Sequence, residues 1–248
     1  MKLRYYILIT IFSLMFFTIA LFPAGLAWNL VPKSVSQGLP LKVKEVGGTL
    51  WDGYIVGKTN SGPVRGQHVF SWDLSPLSLL MADLSTDLHA EGDDYKLKGT
   101  AHYGAFGKGF SDLNGSVDIA LVNDLLKQFG AKASGELKIQ DVTLEFGSGK
   151  TVNEANGEIL WAGGPVTYKD GRRSKNIELP AVQGTLTQNE GAVQLSVVER
   201  KSKNKLGELS LKGTIGGVVV YNRVMRIAGM GNPEDEDEIL IQLQRPIF

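Results

Sequence analysis

Ala192-Val193-Gln194-Leu195-Ser196-Val197-Val198 sets Val193, Leu195 and Val197 against Gln194 and Ser196. A period of two is that of a strand with one face buried and the other wet. It is the cleanest alternation in the chain, and weaker versions lie on both sides of it. Towards the C-terminus the pattern predicts a strand over Leu206–Ile215, extended by Gly216–Tyr221. A short helix over Asn222–Ala228 and a last strand at Ile239–Leu243 follow. Towards the N-terminus strands are expected at Ile177–Leu186, Pro165–Tyr168, Glu154–Trp161, Tyr95–Tyr103, Ser85–Ala90 and Val64–Leu74, and from Leu41 to Val56. Val117, Ile119 and Leu121 also alternate. Leu137 and Ile139 alternate in one phase, Leu144 and Phe146 in the other, so a bulge is expected near Asp141-Val142. Gly92-Asp93-Asp94 reads as a turn.

Two stretches break this period. After Pro76, Leu77, Leu80, Met81 and Leu84 recur at helical spacing, with proline where its missing N–H does little harm. Leu121–Phe129 also looks helical and stops at Gly130. A loose unit recurs among the strands: a glycine, a small or polar residue, then an apolar one. It appears at Gly48-Thr49-Leu50, Gly115-Ser116-Val117, Gly135-Glu136-Leu137, Gly157-Glu158-Ile159, Gly184-Thr185-Leu186 and Gly213-Thr214-Ile215. Its spacing is not constant, which excludes a strict solenoid. A glycine inside strand pattern points to a bulge or a close backbone approach. Trp51 and Trp161 each close one such unit and are expected in the core. The fold class is therefore mainly β: an extended, curved antiparallel sheet or open half-barrel with one or two short helices. A self-closed sandwich or barrel fits the pattern equally well. An open sheet has an apolar face that helices, a second sheet, a partner or lipid must cover.

Tyr5 to Val31 carries no charge, and Tyr6–Phe22 is rich in Ile, Leu and Phe. The stretch reaches the ~20 residues needed to cross a hydrocarbon core. Tyr5, Tyr6 and Trp28 stand near its ends, where aromatic rings favour the headgroup zone. Hydroxyls at Thr10, Ser13 and Thr18 are tolerable because they can bond back to their own helix. A cleaved signal is the alternative, but its apolar region usually runs ~7–15 residues. The sequence thus divides into a tail (1–4), a retained transmembrane anchor (5–29), a linker (30–40) and a β-rich body (41–248). Lys2 and Arg4 place the N-terminus inside and the body outside the cytoplasm.

Lys+Arg and Asp+Glu are equal at 26 each, so net charge gives no argument for nucleic acid. The absence of cysteine excludes a disulfide, a thiolate nucleophile and a cysteine-based metal site. Gly147-Ser148-Gly149-Lys150-Thr151 lacks the first glycine of a phosphate loop, since Leu occupies position 144, and strand pattern follows it. His68, His89 and His102 fall on separate expected strands without metal-ligand spacing. No Gly-x-Ser-x-Gly elbow is present. Glu234–Glu238 lacks the spacing of a calcium loop and reads as a solvated charged loop beside the last strand. No catalytic, cofactor-binding or metal residue is assigned.

An N-terminal apolar span, then Gly48-Thr49-Leu50-Trp51-Asp52-Gly53, then Trp72-Asp73-Leu74-Ser75-Pro76, then Gly157-Glu158-Ile159-Leu160-Trp161 resembles the type II secretion system protein N family. The resemblance covers essentially the whole chain. It implies a non-enzymatic, single-pass inner-membrane protein of a Gram-negative envelope with a periplasmic β-rich body. Such a protein acts by contact with other secretion subunits in the export of folded proteins across the outer membrane. Gly48, Thr49, Leu50, Trp51, Asp52, Gly53, Trp72, Pro76, Gly157 and Trp161 are the structural motif that carries it. The family is also distantly similar to AsmA-like membrane proteins. That makes a lipid-binding or lipid-transfer module, with lipid on the apolar sheet face, the alternative expectation.

Overall fold

A computed structural model of the chain describes residues 2–32, 34, 41–60, 64–76, 78, 83–104, 107–127, 130–147, 151–170, 173–229, 231 and 233–246. The chain divides into two compact units, Met1–Asp93 and Asp94–Phe248.

The first unit opens with helix α1 (Lys2–Ala20) and helix α2 (Ala24–Leu30). Pro23 precedes α2 in an extended conformation, φ −66° and ψ 133°. Proline has no N–H to continue α1 and disfavours a helical Phe22 before it. The uncharged stretch expected as one span over 5–29 is therefore two helices. Among the described residues, no helix is long and apolar enough to cross a membrane. The large apolar side chains of α1 from Tyr5 to Ile19 are nonetheless 47 to 73 % exposed. Thr18 donates to the Leu14 carbonyl at 2.7 Å, back into its own helix.

Four strands follow: β1 (Lys42–Gly48), β2 (Asp52–Thr59), β3 (Gly66–Leu74) and β4 (Asp83–Gly92). They pair in sequence order, all antiparallel. Of the helix expected after Pro76, residues 77 and 79–82 lie outside the described residues. Leu84, its expected last apolar position, belongs to β4. Much of the expected linker, 33 and 35–40, is also outside them.

The second unit carries β5 (Tyr95–Gly104), β6 (Gly107–Asp118), a 3-10 turn (Ile119–Val122), helix α3 (Asn123–Leu126), β7 (Ala131–Ala133), β8 (Glu136–Phe146) and β9 (Val152–Trp161). It continues with β10 (Gly164–Asp170), β11 (Arg173–Leu179), β12 (Val182–Asn189), β13 (Ala192–Glu199), β14 (Lys205–Lys212), β15 (Ile215–Tyr221), helix α4 (Arg223–Ile227) and β16 (Ile239–Pro246). The larger sheet here has the order β5-β6-β8-β9-β12-β13-β14-β15-β16, and β11-β10-β7 form a separate small sheet. The large sheet is not closed among the described residues: β16 pairs with β15 and with no earlier strand.

The small sheet corrects the expectation of one strand over Ile177–Leu186. Pro180 cannot donate to a ladder, and the chain leaves one sheet in β11 and enters the other in β12. What it adds is cover. Ile119, Ala133, Trp161 and Val166 form a buried cluster, flanked by Val122, Leu126, Leu137, Ile177, Leu179 and Val182. One buried patch of the large sheet is thus capped by a second sheet and a short helical segment, two of the covers that an open apolar face allows. The strand expected over Leu206–Ile215 is likewise two, turning at Gly213 with φ 60°.

The phase slip near Asp141-Val142 is a bulge. Register jumps between Gln140 and Thr143 against β9, and Asp141 takes φ 48°. The irregularity crosses neighbouring strands. Asp112 on β6 has φ 52°, Gly157 on β9 has φ 125°, and Asn114 bonds both the backbone N–H and the carboxylate of Asp141, at 3.0 and 2.9 Å. A Cβ on Gly157 would lie 2.6 Å from the Val142 Cα. A bulge leaves one residue unpaired and increases local twist. Here Asn114 supplies the partner that the extra residue lacks. The polar, glycine-rich run of β6 hid this strand from the period-two reading, which caught only its end at Val117.

Candidate functional site

The residues Gly48 to Gly53 form the turn between β1 and β2. The Thr49 N–H donates to the Asp52 carbonyl at 2.7 Å, and the Asp52 N–H donates to the Thr49 hydroxyl oxygen at 3.1 Å. Gly48 sits at φ 80°, and a Cβ there would meet the Asp52 carbonyl oxygen at 2.4 Å. Only glycine allows so close a return of the chain. A Cβ on Gly53 would lie 2.5 Å from the Trp72 ring, so the second glycine makes room for an indole.

This turn is tied on both sides. Towards the N-terminus, the Leu50 N–H donates to the Phe22 carbonyl at 2.9 Å, and Pro23 and Thr49 form an antiparallel bridge. The Trp51 indole N–H donates to the Ile19 carbonyl at 3.0 Å. Carbonyls in the last turn of a helix have no partner within it; the Ile19 carbonyl takes the Phe22 N–H at 3.3 Å and the Trp51 indole as a second, closer donor. Towards β3, the Trp72 indole donates to the Leu50 carbonyl at 2.9 Å and the Leu74 N–H to the Trp51 carbonyl at 2.6 Å. Gly48, Thr49, Leu50, Trp51, Asp52, Gly53 and Trp72 are thus brought together around the end of α1. Trp51 is half-buried and clasps the helix; it is not the core residue expected from the sequence. Pro76 is exposed and begins a helical turn.

Gly157 and Trp161 stand apart from this group, on β9. Trp161 is 6 % exposed, and its indole donates to the Ser134 carbonyl at 3.2 Å. No ligand-facing geometry accompanies it.

The acidic run is not simply solvated. Arg223, 8 % exposed, reaches the Glu236 carboxylate at 2.9 Å, Asp237 at 2.8 Å and the Lys205 carbonyl at 3.0 Å. Arg226 pairs with the same Glu236, and these cations hold its carboxyl below the ordinary range, Arg226 first and Arg223 next. Asn222 adds bonds to the Asp235 carbonyl and the Glu238 carboxylate, both at 3.2 Å. The sequence reading missed this pairing. Its signal was two arginines three apart on a short helix, just ahead of five acids. Beyond it, β16 exposes Ile239, Leu240, Ile241 and Leu243.

His68, His89 and His102 lie on β3, β4 and β5. His102 stands 3.4 Å from Glu145. Positions 148–150 of the glycine-rich loop lie outside the described residues.

In one unit an apolar helix is clasped to the first hairpin, and in the other an open antiparallel sheet carries a second small sheet over part of it; together they define a β-rich protein. The chain belongs to the type II secretion system protein N family: the model described as "Type II secretion system (T2SS), protein N" matches residues 40–231. The match runs from β1 through α4 and makes the protein a type II secretion system component. No curated protein and no solved structure matches the chain.

Proposed function

We propose that the protein is a non-enzymatic accessory subunit of a type II secretion system, anchored in the inner membrane and working by contact from the periplasmic side. The observation that carries this reading is the joining of a family-defining β body to a helix whose apolar side chains are exposed all round. A helix that is hydrophobic on every face is stable only when something apolar surrounds it. Lipid does so for a stretch with no charge from Tyr5 to Val31. Lys2 and Arg4 orient it with the N-terminus in the cytoplasm. Other secretion subunits are the partners, met through sheet faces and edges in interfaces of ~1,200–2,000 Å² in total. The exposed strand β16, paired with β15 on one side, offers such an edge on the other, since the outer side of an edge strand presents a row of backbone donors and acceptors.

Photo-crosslinkers placed along β16 and β1 test this. Capture of other inner-membrane secretion subunits is the expected result. Crosslinks to phospholipid alone, with outer-membrane permeability defects and normal secretion, would replace it by the lipid-transfer reading. Alkaline phosphatase fused after Phe248 tests the side: an active fusion is expected, and an inactive one contradicts a periplasmic body.

A further inference from the structure

The apolar part of α1, Tyr5–Ala20, is sixteen residues and rises about 24 Å. That is short of the ~30 Å hydrocarbon core. With Lys2 and Arg4 at headgroup level, the shortfall falls at the end where the Gly48–Gly53 turn is clasped. Around that end stand Leu21, Leu26 and Leu30, exposed by 65, 55 and 76 %, and Leu50 at the tip of the turn, exposed by 38 %. Two indoles, Trp28 and Trp51, are half-buried among the same elements. Indole rings favour the level of the headgroups, where one part is apolar and the other can hydrogen-bond. The α2 helix is held close to β1, with the Val46 carbonyl 3.4 Å from where a Gly25 Cβ would sit.

We propose that α2 and the turn Thr49–Asp52 form a collar that lies in the headgroup layer of the bilayer and completes the anchor begun by α1. The inference rests on the membrane anchoring proposed above. It adds that the family motif at 48–53 binds a lipid surface and mounts the first hairpin on it. Three ties fix the depth: Leu50 to Phe22, Pro23 to Thr49, and Trp51 to Ile19. If α1 is in lipid, the tip of the turn cannot be more than a residue or two away from it. The facing lysines of this hairpin lie away from the tip. Lys42 and Lys58 face each other at the far end of β1 and β2, some six residues or about 20 Å along the strand from Gly48. The Asp52 residue nearest the tip is exposed.

The chain has no cysteine, so single thiols can be spin-labelled in an otherwise natural background. Full-length protein carrying Phe12→Cys, Leu50→Cys or Gln67→Cys is reconstituted in phosphatidylglycerol–phosphatidylethanolamine vesicles. Collision with oxygen and with a water-soluble nickel chelate then reports depth. The expected order is Phe12 deep in the hydrocarbon, Leu50 at headgroup depth with several-fold less chelate collision than Gln67, and Gln67 fully aqueous. Phe12 in lipid with Leu50 as aqueous as Gln67 overturns the collar and leaves the anchor standing. Phe12 in water overturns both. In the Leu50→Cys background, Trp51→Phe leaves a smaller aromatic ring and removes the N–H. The collar then loosens, and chelate collision at position 50 should rise towards the Gln67 value. No change there overturns the role given to the indole bond.

Discussion

Trp51 and Trp161 close the same short sequence unit, a glycine, a polar residue and one or two apolar ones, yet the chain uses them oppositely. Trp161 lies at the end of β9 between the two sheets, 6 % exposed, inside a cluster with Ile119, Ala133 and Val166. Trp51 lies outside any strand, half-buried, with its N–H on the last turn of α1. The difference comes from what each tryptophan finds across from it. At Trp161 the chain brings back β7, β10 and β11 to cover the ring. At Trp51 the covering element is a helix end, where the Ile19 carbonyl takes a long 3.3 Å bond from the Phe22 N–H and a shorter one from the indole. A local sequence unit therefore sets the turn, while the element packed on it sets the role.

Truncation separates the two most sharply. Trp161→Ala should cost ~3–5 kcal/mol, a large part of the ~5–15 kcal/mol of a typical domain. The expected readouts are low abundance and protease sensitivity. Full stability would contradict a core role. Gly157→Val, which places a branched side chain at φ 125° against the Val142 backbone, should cost about 1–3 kcal/mol. Denaturant unfolding measures it. Trp51→Phe should cost only about 0.5–1.5 kcal/mol, the net value of one hydrogen bond. Its unfolding midpoint should move little beside that of Trp161→Ala; equal loss from both would erase the contrast.

The acid response of the α4 region is smaller still. Glu236 is held below its ordinary value of 4.5 by Arg226 and Arg223. Its ion pairs therefore contribute fully above that value and are lost as pH falls through the lowered one. Limited proteolysis of 229–238 should be slow near neutrality and accelerate only in acid, below the ordinary glutamate range. Glu236→Gln should make the segment labile at neutral pH as well. At the other end, Lys150→Ala should leave stability and secretion unchanged, because the loop lacks the first glycine of a nucleotide site. Micromolar ATP binding abolished by that substitution would contradict this.

Much of the β architecture was legible. Val193, Leu195 and Val197 announced β13, and the opposite phases of Ile139 and Leu144 announced the Asp141 bulge. Where residues lie beside polar, glycine-rich neighbours, as in β6, period two carries no signal because bulges swap faces within the strand. The second sheet was hidden because periodicity reports faces, not partners: β11 and β12 read as one strand until Pro180 is given its weight. The 48–53 motif was found in the sequence, but its attachment to Ile19 and Phe22 was not, since a bond to a backbone carbonyl leaves no trace in side-chain pattern. The Arg223–Glu236 pairing joins positions thirteen apart in the chain, and only the complementary charges hinted at it.

The most direct test of the account is secretion itself. In a strain lacking the protein, folded substrates of the type II system should accumulate in the periplasm, with signal peptides removed, and fail to appear outside. Full-length protein should restore export. Normal export in the deletion strain, or a block that already stops substrates at the inner membrane, would contradict the role proposed for it.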